Sequence, residues 1–234
     1  MPRVDSPKTK LNRPSLVVFS GGQDSTTCLH WALRTFTAVE AVFFDYGQRH
    51  KSEVMAAQNI AWKVKIPLRI FRLDFFREMK GNALTDATIP INAASGGALP
   101  NTFVPGRNLL FLTQAAAYAY TKGIKDIVTG VCQTDYSGYP DCRSDTLRAL
   151  QKSLHLGLGW PERGGVFRIH TPLMFKTKAE SIQMAQKWGA MESLALSHTC
   201  YEGVSPPCGK CPACILRAKG FAEAGVVDPL LAGG

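Results

Sequence analysis

No stretch of the sequence approaches the roughly 20 consecutive apolar residues that a membrane-spanning helix needs. Residues 1–14 hold no apolar run either, so neither a secretory leader nor an anchor is expected there. They read as a flexible basic arm. Blocks of like charge are missing as well. The 27 Lys+Arg against 18 Asp+Glu give a net charge of +9, but the basic residues are spread along the chain. That balance suits a polyanionic partner, either ATP or nucleic acid, without marking out a nucleic-acid surface. The five histidines (His30, His50, His155, His170 and His198) show no metal-ligand spacing, and each reads as structural. There is no separate RNA-binding domain and no glutaminase segment. What remains is a chain of 234 residues, 45% hydrophobic, long enough to bury one core without staples. With no export signal the expected setting is cytoplasmic, where seven cysteines point to metal or chemistry rather than disulfides.

The chain is organised around Ser20-Gly21-Gly22-Gln23-Asp24-Ser25. An apolar run, Leu16 to Phe19, reads as a buried strand before it, and Thr26, Thr27, Cys28 and Leu29 begin a helix after it. Strand, glycine turn and helix start together make an anion site. The glycines let the backbone come close to a ligand, and the first helical N–H groups point at it. Two glycines alone also make a tight turn with no ligand. Here Ser20, Ser25, Thr26 and Thr27 add hydroxyl donors, and Asp24 is placed to hold the Mg2+ that a polyphosphate brings. The loop lacks the Gly-Lys-Ser/Thr ending of a Walker A loop.

Strands are expected at 15–20, 39–44, 68–73, 126–131 and 166–171. Helices are expected at about 25–34, 52–64, 109–122, 145–156 and 179–188. The alternation predicts a parallel sheet covered on both faces, with ligands beyond the carboxyl ends of the strands. Three other segments fall at that edge. Asp45 opens Asp-Tyr-Gly-Gln-Arg-His, and Arg107 closes the Pro/Gly-rich connection 74–108 beside a helix start, where it meets a phosphate. The third follows Val131 and carries Gln133, Asp135, Tyr136, Tyr139, Asp141 and Arg143, a set suited to gripping a flat heterocycle or simply a polar loop. Lys176 and Lys178 open a further helix and either balance phosphate charge or stay solvated.

The tail contributes Cys200, Cys208, Cys211 and Cys214, spaced Cys-x7-Cys-x2-Cys-x2-Cys. Four thiolates so close predict one closed, structural Zn2+ site that pins a helix from about 212 to 223 against the body. An iron–sulfur cluster or disulfides are the other readings. Cys28 reads as a small apolar residue on a helix.

The loop Ser-Gly-Gly-x-Asp-Ser resembles the PP-loop signature of the ATP pyrophosphatase superfamily. Taken with Asp-Tyr-Gly-Gln-Arg-His, Val-Pro-Gly-Arg-Asn, the 130–143 segment, Thr-Pro-Leu-Met-Phe-Lys-Thr-Lys and Cys-Gly-Lys-Cys-Pro-Ala-Cys, the chain resembles the 7-cyano-7-deazaguanine synthases over about residues 15–224. The resemblance implies an adenine nucleotide α-hydrolase-like, doubly wound parallel α/β fold. Its expected organisation is an ATP-binding domain at 15–195, a zinc-binding segment packed on it at 196–224, and a tail at 225–234. It implies that 7-carboxy-7-deazaguanine and ammonia are converted to the nitrile through adenylated acid and amide, with ATP and Mg2+, in a cytoplasmic homodimer that needs neither membrane nor nucleic acid. The family is summarised as releasing ADP and phosphate, whereas the loop chemistry predicts AMP and pyrophosphate. The expected nucleotide contacts run from Phe19 to Leu29 and include Asp45. Ser20, Asp24, Ser25, Arg107 and Lys178 are the expected catalytic groups, and the 133–143 residues named above are the deazapurine readers. A PP-loop tRNA-modifying enzyme (a thiolase or lysidine-type ligase) and a non-enzymatic zinc-containing nucleic-acid-binding module are the alternatives. The first fits the basic balance but lacks an RNA-binding domain and a Cys-x-x-Cys beside the loop. The second leaves the phosphate loop unexplained.

Overall fold

A computed structural model of the chain describes residues 9–79, 81–86, 88–91, 99–134 and 138–232. Five strands, β1 (Leu11–Val18), β2 (Phe36–Asp45), β3 (Leu68–Arg72), β4 (Asp126–Thr129) and β5 (Arg168–His170), form one parallel sheet in the order β3-β2-β1-β4-β5. Between and after them lie α1 (Gln23–Thr35), α2 (Ser52–Lys63), a single turn α3 (Phe75–Glu78), α4 (Arg107–Thr121) and α5 (Ser144–Gly157). The chain ends with α6 (Lys178–Trp188), a short α7 (Met191–Leu194) and α8 (Pro212–Ala224).

The strands alternate their side chains between two cores, as a period of two requires. Leu16, Val42, Phe44 and Ile127 pack with Leu112, Ala115, Ala116 and Ala119 of α4 and Leu147 and Leu154 of α5. Val17, Ala41, Phe43 and Val128 point to the other face, against Leu29 and Ala32 of α1, Ala57 and Ile60 of α2, and Trp188 of α6. Both faces are therefore dry, which explains the unbroken apolar runs in the strand sequences. The chain is a doubly wound parallel α/β fold.

β1 begins earlier than the sequence reading placed it. Leu11 pairs with Phe36 of β2, and Arg13 reaches the buried Asp126 at 2.7 Å. Residues 11–14, assigned to the flexible arm, thus belong to the sheet. The mixed Asn-Arg-Pro sequence hid a strand whose place is fixed by pairing rather than by apolar pattern.

Order reverses between β1 and β4, the strands that lead outward to opposite edges. A crevice opens there beyond their carboxyl ends. Gly130, just after β4, makes it possible. A Cβ at Gly130 would lie 2.8 Å from Ser25 N, so only glycine lets the start of α1 settle against the end of β4.

Candidate active site

Gly21 adopts φ 74° and lies against α2, where a Cβ would come within 2.7 Å of Ala57 N. Gly22, the residue before α1, is extended. The turn is locked from within. Ser20 N–H and Ser20 Oγ both reach Ser25 Oγ, at 3.3 and 3.0 Å, and Ser25 Oγ donates to Gly22 O. It is also held from outside, because His198 N donates to Gly21 O at 3.0 Å. The outcome is a rigid loop at the N-terminus of a 13-residue helix, which favours an anion.

Lys178, the first residue of α6, donates to Asp24 Oδ2 at 2.7 Å. Its place is set by a capping box at the α6 start, where Thr177 and Glu180 satisfy each other's backbone N–H. Packing of α8 on α6 also presses on it, since a Cβ at Gly220 would meet Lys178 Cγ at 2.4 Å. Asp24 Oδ1 is buried and has no hydrogen-bond partner among the described residues. An orphaned carboxylate oxygen beside a phosphate-type loop fits a hard cation.

These groups border a cleft of about 320 Å3. Its lining includes Phe19, Ser20, Gly22, Gln23, Asp24, Ser25, Arg107, Tyr139 and Lys178 from the expected set. Arg107 opens α4, lies 5.5 Å from the centre of the Tyr46 ring and donates to its hydroxyl at 3.2 Å. Burial works against its charge, but Tyr46, Tyr139 and Tyr201 outweigh that effect and hold Arg107 protonated.

Other expected residues do structural work. Thr26, Thr27, Cys28 and Leu29 are fully buried, and Thr27 Oγ1 donates to Gln23 O, inside the helix. None of the four lines the cleft, so these side chains serve the core. Asp45 accepts from Gly47 N at 3.2 Å and shapes the turn after β2. Gln133 accepts from Ser144 N at the start of α5. Asp141, buried, accepts from Asn108 N at 2.9 Å at the start of α4. Arg143 is exposed at the residue before α5. None of Asp45, Gln133, Asp141 and Arg143 lines the cleft, whereas Tyr139 does and is fixed there by Thr102 at 2.7 Å. Asp135 and Tyr136 lie outside the described residues.

The structure adds Tyr46, Glu53, His198 and Tyr201 to the lining. Burial lifts the Glu53 carboxyl to about 7 against a smaller opposing pull from Arg107, and it lifts the Tyr46 phenol to about 12. The available signal for Glu53 was its position in the first turn of the helix that follows a loop at the carboxyl edge. Tyr201 was marked only by its neighbour Cys200.

The Cys200, Cys208, Cys211 and Cys214 sulfurs lie within 4.8 Å of one another. Four sulfurs around Zn2+ at about 2.3 Å would sit roughly 3.8 Å apart, so the donor set fits a tetrahedral ion. Cys208 N donates to Cys200 Sγ and Cys211 N to Cys208 Sγ, at 3.4 and 3.3 Å. Burial works to raise the Cys208 thiol, but the backbone groups of Lys210 and Cys211 bring it down to about 7. Cys211 precedes α8, which places the thiolates at a positive helix end. The same segment supplies His198 and Tyr201 to the cleft, so the cysteine cluster and the cleft share a wall. No helix among the described residues is long and apolar enough to cross a membrane.

A family model described as "Queuosine biosynthesis protein QueC" matches residues 14–225. The chain is similar to the 7-cyano-7-deazaguanine synthase of Chromobacterium violaceum, 58% identical over 221 residues that cover 93% of this chain and 92% of that one. It is similar to the enzyme of the same name in Bacillus subtilis, 46% identical over 211 residues covering 89% and 94%. Among solved structures, the U34-tRNA thiolase NcsA from Methanococcus maripaludis is 15% identical over 92% of this chain and 66% of that one, with a TM-score of 0.49.

Proposed function

The chain belongs to the QueC family of queuosine biosynthesis proteins, the 7-cyano-7-deazaguanine synthases, and we propose that its cleft makes the nitrile by activating first a carboxylate and then an amide with ATP. The synthase is a ligase acting on a small molecule in queuosine biosynthesis. The observation that carries the mechanism is the rigid loop 20–25 at the α1 N-terminus with Lys178 and Asp24 beside it.

A carboxylate resists attack because its leaving group would be oxide. In the first round a carboxylate oxygen of 7-carboxy-7-deazaguanine attacks the α-phosphorus of ATP, and the bond to the β-phosphate oxygen breaks. Pyrophosphate departs into the loop, where the Gly22 and Gln23 backbone and the Ser20 and Ser25 hydroxyls receive it. Lys178 stabilises the charge that grows on the phosphoryl oxygens. Ammonia then attacks the acyl carbon, AMP leaves with the electron pair, and loss of a proton gives the amide. In the second round the amide oxygen attacks the α-phosphorus of another ATP, and the bond to the β-phosphate oxygen breaks to release a second pyrophosphate into the loop. Breaking the carbon–oxygen bond and losing both N–H protons yields the nitrile and AMP.

Asp24 would hold Mg2+ through its unpartnered oxygen, and the ion would supply charge neutralisation on the polyphosphate. The four cysteines would hold Zn2+ in a closed, structural site. A cytoplasmic homodimer fed by free ammonia completes the reading. A reducing compartment suits four thiolates kept for metal.

Protein incubated with ATP, Mg2+, ammonium and 7-carboxy-7-deazaguanine, with products read by mass spectrometry, tests this directly. Nitrile accompanied by AMP is expected. Nitrile with ADP would retain the synthase and discard the loop mechanism. No amide and no nitrile from folded, zinc-replete protein would remove the proposal.

A further inference from the structure

Glu53 lies in the first turn of α2 and lines the cleft with Arg107 and Tyr46. No described residue gives its carboxylate a hydrogen bond or an ion pair, and Arg107 pulls on it from the same cleft. A half-buried carboxylate left so keeps acceptor capacity for a donor that enters the cleft. Arg107 spends one N–H on Tyr46 and keeps its charge. A carboxylate and a guanidinium that line one cleft together select their guest. A metal ion or ammonium at Glu53 would meet the charge of Arg107. A phosphate at Arg107 would meet Glu53. A sugar diol has donors for Glu53 but needs no guanidinium. A neutral ring edge with two donors next to an acceptor uses both.

Building on the synthase reading, we propose that Glu53 and Arg107 read the pyrimidinone edge of the deazaguanine: Glu53 accepts from ring N1–H and the 2-amino group, and Arg107 donates to O6. Chemistry at C7 leaves that edge unchanged, so one pair serves the acid, the amide and the nitrile alike. Adenine presents the opposite order, an amino donor where Arg107 stands and a ring nitrogen lone pair facing Glu53, so the base of ATP is excluded from this position. The Tyr46, Tyr139 and Tyr201 rings flank Arg107 and offer faces for the flat heterocycle. Arg107 thereby moves from the phosphoryl oxygens, where sequence alone put it, to the ring.

Recognition needs Glu53 ionised. Arg107 from α4 and Tyr46 after β2 face it, and Asp24, Lys178, Tyr139, His198 and Tyr201 border the same cleft. With its carboxyl lifted to about 7, affinity for the deazaguanine falls as pH drops below that value.

The test compares wild type and Glu53→Gln by steady-state kinetics with each substrate varied. The expected result is a KM for 7-carboxy-7-deazaguanine raised at least tenfold and a KM for ATP within twofold. The analogue lacking the 2-amino group should be rejected less strongly by the variant than by wild type. An unchanged KM for the deazaguanine, or a rise confined to ATP, overturns the assignment, the latter by placing ribose on Glu53. If the variant does not fold, the wild-type KM for the deazaguanine between pH 6 and 8 decides: a rise toward acid supports the assignment and a flat profile overturns it. Wild type that makes no nitrile removes the synthase reading and this inference together. Wild-type turnover with an unaltered Glu53→Gln profile removes the inference alone.

Discussion

Asp24 divides its work between its two oxygens. Oδ2 takes Lys178 at 2.7 Å, and Oδ1 is buried without a partner among the described residues. Removing either member leaves the other unbalanced beside a polyphosphate. Lys178→Ala and Asp24→Ala are each expected to lower kcat about 100-fold or more at saturating ATP, the scale seen for single groups that stabilise transition-state charge. Their thermal unfolding should stay within a few degrees of wild type, since both side chains sit at the cleft edge. Full turnover by Asp24→Ala would overturn the proposal that it binds magnesium. Glycine is needed at Gly21 for two separate reasons, a positive φ and backbone contact with Ala57, so no other residue fits this turn.

At the scale of elements, α8 is the brace that links the four-cysteine cluster to Lys178. It begins at the cysteines, packs on α6 through Phe221 and Ile182, and brings Gly220 against the Lys178 stem. Behind it the buried Arg217 ties Asp228, Ser197 and Leu194 O together, which fixes the chain on both sides. A helical glycine replaced by alanine ordinarily gains about 1 kcal/mol. At Gly220 the added methyl must displace the Lys178 stem. Gly220→Ala is therefore expected to keep unfolding by urea near wild type while kcat falls about tenfold, a split that a simple packing defect would not give. Equal losses of stability and activity would show that α8 supports the fold without aiming Lys178.

For the whole molecule, the buried Asp126 fastens the sheet at the end away from the cleft. It accepts from Arg13 of β1 and His170 of β5, so one carboxylate joins three strands. Burial raises its carboxyl, but His170 and then Arg13 outweigh that and hold it below the ordinary carboxylate value. A lowered folded-state value contributes stability above the unfolded value of about 4, and that contribution is lost as pH falls through the folded one. Asp126→Asn is thus expected to unfold at lower denaturant than wild type at neutral pH, with the gap closing below about pH 4. A constant gap from pH 3 to 8 would assign the effect to packing alone.

The sequence by itself determined the strand–helix alternation, the phosphate-type loop and the four-cysteine cluster, because each is written in neighbouring residues: an apolar run, two glycines, a fixed spacing. It marked Ser20, Asp24 and Ser25 for the same reason. Which side chains face the cleft was decided only by tertiary packing. Thr26 to Leu29 are adjacent to the loop in sequence, yet the helical turn rotates them into the core. Asp141 has the chemistry of a ligand-reading carboxylate, but the start of α4 claims it. Glu53, Tyr46 and Tyr201 come from three separate segments, and nothing local brings them to Arg107. The reversal of strand order between β1 and β4 and the docking of the cysteine segment put them there, through contacts between residues far apart in the chain, which no local pattern encodes.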